Sequence, residues 1–63
     1  MKSYYAVSFK YSDDIYCSNI AHAETVDVVR SFYSAFAWVD IRECPTYELT
    51  EARRKGMPII EVL

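Results

Sequence analysis

The sequence has little of the material from which recognisable functional motifs are built. Its single glycine, Gly56, excludes a glycine-rich phosphate-binding loop, because such loops need several glycines close together. Its two cysteines do not form the closely spaced pair of a strong zinc motif. No apolar run approaches the length of about 20 residues that a membrane-spanning helix needs. No motif therefore assigns a specific chemistry to the chain.

Charged residues are nearly balanced and give no electrostatic indication of a partner. Seven basic and nine acidic residues leave a net charge of −2. Nonspecific binding to nucleic acid depends on clustered lysines and arginines, so the composition disfavours a nucleic-acid partner. Met1-Lys2 leads into alternating residues without the continuous apolar segment of a signal peptide. We expect a cytoplasmic protein with reduced cysteines and no membrane partner.

Apolar and aromatic side chains, by contrast, are plentiful. The 63 residues are 52% hydrophobic and 16% aromatic. Disordered chains are poor in both kinds of residue, so we expect residues 1–63 to form one folded domain. Aromatic rings bury large areas, which helps a chain near the lower size limit to form a core. Oligomerisation is the other common remedy for small size, and self-association stays open.

Residues 25–36 form the only long segment with helical periodicity. Its apolar residues recur at i, i+3, i+6, i+7 and i+10, which predicts a helix with one apolar stripe. The stripe consists of Val26, Val29, Phe32, Tyr33 and Phe36. Thr25 is the predicted N-cap, because its hydroxyl can accept a hydrogen bond from the first turn. Such a helix needs a sheet to cover its stripe.

Period-two alternation and turn residues predict the other elements. These are strands at 3–11, 15–20, 37–42 and 59–63, and a second helix at 47–55 capped by Thr46. The order is ββαβαβ, a small α+β domain with one sheet packed on the first helix. The first helix should lie on the sheet face that includes Val7, Phe9 and Ile41. The second helix should cover part of the opposite face or lie at an edge.

The C-terminal part of the chain resembles known sequences most clearly. Residues 51–62 read EARRKGMPIIEV. Together with residues 19–39 and Glu48-Leu49, this segment resembles a group of short uncharacterised proteins of phages and conjugative elements of gut bacteria. The resemblance covers most of the chain. It implies a small accessory protein and carries no activity or site residue over to this sequence.

Cys17, His22 and Cys44 raise the question of a metal site or an activated thiol. The set lacks a fourth ligand and the spacing of a zinc motif. We therefore interpret the three as a strand residue, a loop histidine and a strand-end thiol, and we expect no metal, cofactor or enzyme activity. A Cys17–Cys44 disulfide is disfavoured, because cytosolic thiols usually stay reduced.

Arg53, Arg54 and Lys55 form a basic cluster at the end of the second predicted helix. Successive helical residues point about 100° apart, so the three charges do not share one face. We interpret them as cations that complement the negative end of the helix dipole. Contact with phosphate is the alternative interpretation.

Tyr4, Tyr16 and Trp38 are predicted to share the sheet face turned away from the first helix. Exposed together, they form the kind of patch that is enriched at protein interfaces, with Arg42 and Arg53 as a polar rim. The alternative is that the second helix or the C-terminal strand covers them. The sequence thus favours a non-enzymatic protein-binding module that buries this face, or a free strand edge, against a partner or a second copy. A nucleic-acid-binding module and a purely structural, oligomeric protein are the alternatives.

Overall fold

The computed structural model describes every residue from Met1 to Leu63. The elements are β1 (Ser3–Ser12), β2 (Ile15–Ala23), α1 (Val26–Phe32), β3 (Val39–Glu43), α2 (Thr46–Arg54) and β4 (Ile59–Glu61). The predicted α+β class and the order ββαβαβ are confirmed. The four strands form one sheet in the spatial order β3-β1-β2-β4, so β1 and β2 are central and β3 and β4 are the edges.

The hairpin of β1 and β2 forms the centre of the sheet. The turn is at Asp13-Asp14, and Asp14 has a φ of 62°, a left-handed conformation that aspartate tolerates. The register shifts between Lys10 and Ser12, so a bulge interrupts the regular alternation next to the turn. Alternation alone would place Tyr11 on the same face as Val7 and Phe9, but the bulge places it at the surface, where it is 67% exposed.

The two edge strands pair in opposite senses. β3 is antiparallel to β1 with Val7 opposite Ile41, whereas β4 is parallel to β2 with Ala21 opposite Ile60. β2 continues to Ala23, three residues beyond the predicted end, because β1 and β4 both pair with its last residues. His22 therefore belongs to a strand, and its prediction as a loop residue is wrong.

α1 covers one face of the sheet, which we name the α1 face. Thr25 is the N-cap, as predicted, and its Oγ1 accepts a hydrogen bond of 3.3 Å from the Val28 backbone N–H. The buried cluster on this face consists of Tyr5, Val7, Phe9, Ala21, Ala23, Val29, Tyr33 and Val62. Val39 and Ile41 pack against the same cluster. The predicted contact between the first helix and the sheet is therefore confirmed.

α1 is shorter than predicted and ends at Phe32 rather than at residue 36. Turns follow, in which Phe36 N–H donates to the Tyr33 carbonyl at 3.2 Å. The place of Phe32 in the apolar stripe was predicted wrongly, because its side chain is 54% exposed. Phe32 and Tyr33 are successive helical residues and point about 100° apart, so burial of Tyr33 turns Phe32 toward solvent.

α2 covers part of the opposite face, which we name the α2 face. Its N-cap is Pro45 rather than the predicted Thr46, which is already the first helical residue. Gly56, with a φ of 76°, follows the helix and allows a Schellman ending, in which Met57 N–H donates to the Ala52 carbonyl at 2.9 Å. Ile20, Leu49 and Ala52 form the buried cluster under α2.

Candidate protein-binding surface

α2 leaves one half of the α2 face uncovered. The apolar residues that pack with α2 are Tyr4, Ala6 and Ile59, which lie toward one end of their strands. Toward the hairpin turn the same face carries a different set, which we name the open face. It consists of Ser8, Lys10, Tyr16, Ser18, Trp38 and Asp40. The hydroxyls of Ser8 and Ser18 approach to 3.5 Å on adjacent strands, so the floor of this surface is polar.

Tyr16 and Trp38 are the aromatic part of the open face. Tyr16 lies opposite Lys10 of β1, and the Lys10 N–H donates to the Trp38 carbonyl at 3.1 Å, so the two rings lie on either side of β1. They nevertheless meet edge to face, with centroids 5.7 Å apart and planes at 85°. Tyr16 is 61% and Trp38 46% exposed. The pair forms an exposed aromatic surface.

Tyr4 lies on the same face but away from the other two aromatic residues. Along β1 it is six residues from Lys10, a distance of about 20 Å in a strand. Its ring stacks on the His22 ring at a centroid distance of 4.2 Å. The guanidinium of Arg53 lies 5.7 Å from the ring centroid and donates to the Tyr4 hydroxyl at 3.3 Å. The structure thus unites Tyr16 and Trp38 and places Tyr4 with Arg53 in a separate contact.

Arg42 stands at the border between α2 and the open face. Its guanidinium donates two hydrogen bonds to the Glu48 carboxylate, at 2.7 and 2.5 Å. This pairing raises the pKa of Arg42 and lowers the pKa of Glu48, in each case chiefly through the hydrogen bonds between them. Arg42 is exposed and Glu48 is partly buried, and ion pairs near the surface contribute little to stability. Arg42 is therefore held in place by Glu48 beside the open face.

A groove separates α2 from the open face. Its volume is about 170 Å³, and it is lined in part by Ser8, Ser18, Arg42, Lys55 and Met57. Pockets that hold a drug-sized ligand are usually larger, at about 300 Å³ or more. The groove has the size for a side chain of a docked protein rather than for a whole small molecule.

Cys17, His22 and Cys44 do not come together. Cys17 packs on the α1 face and Cys44 packs with the cluster under α2, and both are free thiols. The pKa of Cys44 is raised, first by burial and then by Glu48. A raised pKa keeps a thiol protonated at neutral pH, where it is a poor nucleophile. No group of three or more His, Cys, Asp or Glu side chains is placed to hold a metal ion.

His22 instead belongs to a polar cluster that the sequence did not indicate. Its Nδ1–H donates to Glu61 of β4 at 2.6 Å, and Lys2 donates to the same carboxylate at 3.1 Å. These contacts lower the pKa of Glu61, with the His22 hydrogen bond as the largest cause. The parallel pairing of β2 and β4 brings these residues together. Only knowledge of the strand order would have revealed the cluster.

The basic residues at the end of α2 point apart. Arg53 lies over Tyr4, whereas Arg54 donates to Glu51 at 2.8 and 2.6 Å. Lys55 lines the groove beside Arg42. The three charges therefore do not form a single positive patch.

No known protein-family model, curated protein or solved structure matches this chain significantly. Neither α1 nor α2 has both the length and the apolar character of a helix that spans a membrane.

Proposed function

We propose that this protein is a small, non-enzymatic protein-binding module that docks a partner protein on its open face. The observation that carries the proposal is the exposed Tyr16–Trp38 pair on a sheet face that α2 leaves uncovered. Tyrosine, tryptophan and arginine are the residues that most often dominate the energy of protein interfaces. Tyr16 and Trp38 would be the apolar anchor, and Arg42 would belong to the polar rim.

The surroundings of the aromatic pair suit this role. Ser8, Ser18 and Asp40 extend the surface with small polar or charged groups that can hydrogen-bond to a partner. The groove beside Arg42 can accept one partner side chain. An aromatic anchor, a polar rim and a shallow side-chain pocket are the usual components of a protein interface.

We further propose that the protein acts in the cytoplasm as an accessory factor of a phage or conjugative element. The resemblance of residues 19–39 and 51–62 to short proteins of such elements supports this setting. An accessory role through binding of another protein is consistent with the exposed Tyr16–Trp38 pair.

A nucleic-acid-binding module that uses Arg53, Arg54 and Lys55 remains the alternative prediction. The structure offers no observation in its favour, because Arg53 contacts Tyr4 and Arg54 is paired with Glu51. Binding that weakens steeply as salt concentration rises would support this alternative, since release of counterions from phosphates makes such binding salt-dependent.

The capture experiment compares two variants that each lack one tyrosine, and the titration that follows adds Trp38→Ser. Tagged wild type, Tyr16→Ser and Tyr47→Ser are used to capture proteins from cells that encode the chain, with quantitative mass spectrometry as the readout. Tyr47 is the matched control, because it is 75% exposed but lies on α2, outside the open face. Circular dichroism confirms that both variants fold.

Titration with the purified partner gives the decisive measurement. We expect Tyr16→Ser and Trp38→Ser each to raise the dissociation constant about tenfold or more, as expected for anchor residues, and Tyr47→Ser to leave it unchanged. A partner that binds all variants with equal affinity would refute the open face as the docking surface. So would a partner whose binding is weakened only by Tyr47→Ser on α2.

A further inference from the structure

β3 presents a free backbone edge. Its inner edge pairs with β1, and the bonds at its two ends show which residues face inward. The Lys10 N–H donates to the Trp38 carbonyl at 3.1 Å, and the Cys44 N–H donates to the Tyr4 carbonyl at 3.0 Å. Residues that exchange such bonds recur at every second position of an antiparallel strand. The N–H and C=O groups of Val39, Ile41 and Glu43 therefore point outward, away from the sheet.

The charges on β3 are arranged symmetrically about Ile41. Asp40 precedes Ile41 and Arg42 follows it, and both side chains lie on the α2 face. Asp40 takes part in none of the ion pairs within the chain. An antiparallel strand placed with its own Ile41 opposite this Ile41 would bring its Arg42 opposite Asp40, and its Asp40 opposite Arg42.

The backbone geometry agrees with the same register. The backbone N–H and C=O groups of Ile41 point outward, so two copies of Ile41 would exchange hydrogen bonds across a two-fold axis. Val39 of each copy would likewise exchange hydrogen bonds with Glu43 of the other. Asp40 and Arg42 would then occupy the non-hydrogen-bonded positions, where Cα atoms are about 4.5 Å apart and side chains are closest. Opposite charges directly across such a pair are stabilising. The outward backbone groups allow this register, and the charges of Asp40 and Arg42 select it among the registers that the backbone allows.

We propose that two copies of this chain associate through their β3 edges, antiparallel and centred on Ile41. The two four-stranded sheets would join into one continuous sheet of eight strands. Pairing would give hydrogen-bond partners to the outward N–H and C=O groups of β3, which otherwise can promote nonspecific association. It would also add buried surface to a chain with a small core. The dimer goes beyond the proposed function: it shares Asp40 and Arg42 with the open face and its rim, but Tyr16 lies on β2 and stays clear of the new contact in both copies.

A charge-swap experiment tests the register. Solution mass is measured by light scattering from micromolar to millimolar concentration for wild type, Asp40→Lys, Arg42→Glu and an equimolar mixture of the two variants. In a dimer of either variant alone, the residues at positions 40 and 42 of opposite copies carry the same charge, and this like-charged pair occurs twice because of the two-fold axis. In the mixture, the two substituted side chains, one from each variant, would face each other with opposite charges. The unchanged Arg42 of the first variant would face the unchanged Asp40 of the second, so every charge again has an opposite partner.

We expect wild type to reach twice the chain mass of 7.4 kDa. Each single variant should raise the dimer dissociation constant about tenfold or more, and the mixture should restore association. Asp27→Lys makes the same change of net charge as Asp40→Lys, but on α1, and should dimerise like wild type. Because Arg42→Glu also breaks the pair with Glu48, Glu43→Pro serves as a second variant. It removes one outward N–H at an edge position where proline is tolerated, and it should abolish the dimer.

Wild type that stays monomeric at every concentration would overturn the inference, and so would a dimer that survives Glu43→Pro or a mixture that fails to associate. The proposed function is tested separately, because Tyr16→Ser should dimerise like wild type while losing its partner. A monomeric wild type that still binds a partner through Tyr16 would remove the dimer and leave the open face intact.

Discussion

Val29→Ala is expected to cost much stability although it removes only two methyl groups. Val29 is fully buried between α1 and the sheet. Alanine lacks two of its methyl groups, and burial of each such group is worth about 0.8 kcal/mol. The unfilled space adds a further cost, so we expect a total loss of about 2–3 kcal/mol. Domains of this size have an unfolding free energy of about 3–9 kcal/mol, so the loss would be a large share of the total.

Phe32→Ala is the matched control on the same helix. It removes more atoms than Val29→Ala does, but the Phe32 side chain is mostly exposed. Alanine also has the higher helix propensity, by about 0.5 kcal/mol, so we expect a net loss below about 1 kcal/mol. Urea unfolding followed by circular dichroism, with linear extrapolation to water, gives both free energies. A loss for Phe32→Ala equal to or greater than that for Val29→Ala would refute the orientation of α1.

Three further predictions concern the sheet edge and the ends of the helices. The pKa of Glu61 lies below its ordinary value of 4.5, because His22 and Lys2 donate hydrogen bonds to its carboxylate. The stabilising contribution of ionised Glu61 should be complete above pH 4.5 and should be lost as the pH falls through the lowered pKa. The melting temperatures of wild type and Glu61→Gln should therefore converge in acid. A difference in melting temperature that does not depend on pH would contradict this prediction. Gly56→Ala should cost about 1 kcal/mol in urea unfolding and Gly56→Asn less, because a Cβ meets nothing there and only the left-handed backbone is strained; equal losses would argue against that cause. Thr25→Ala should cost about 1 kcal/mol, whereas Thr25→Ser should retain the cap and the stability.

The order of elements could be predicted because local patterns determine it. Alternation identified the strands, and the spacing of Val26, Val29 and Tyr33 identified the helix that covers the sheet. Gly56 and the basic residues before it marked the end of α2, which the structure places at Arg54. Each of these signals lies within a few residues of the element that it specifies, so no knowledge of the tertiary structure was needed.

The errors arise where a local pattern meets a tertiary or backbone effect. Tyr11 follows the alternation of β1, but a bulge reverses its direction. Phe32 fits the spacing of an apolar stripe, but α1 is rotated so that Tyr33 and Val29 contact the sheet. The helix also ends before Phe36, which reaches the core from a turn instead. The spacing of apolar residues predicts a helix with an apolar side, but it does not show how that helix is rotated about its axis against the sheet.

The candidate site could be predicted only in part, because its residues come from distant strands. Alternation separates Tyr4 from Val7 and Trp38 from Ile41, but it leaves open which face of the second strand is buried and so where Tyr16 lies. Strand order and the position of α2 then decide that Tyr16 meets Trp38 while Tyr4 lies under Arg53. The pairing of β3 with β1, which leaves an edge at Val39–Glu43, likewise depends on strand order.

Collisional quenching of Trp38 fluorescence tests the central claim most directly, because Trp38 is the chain's single tryptophan and lies on the open face. Acrylamide quenching is measured on the dilute chain alone and after saturation with the partner identified by capture. We expect efficient quenching in the free chain and several-fold weaker quenching once the partner is bound. Weak quenching in the free chain, or quenching that the bound partner leaves unchanged, would contradict the claim that a partner protein docks on this surface.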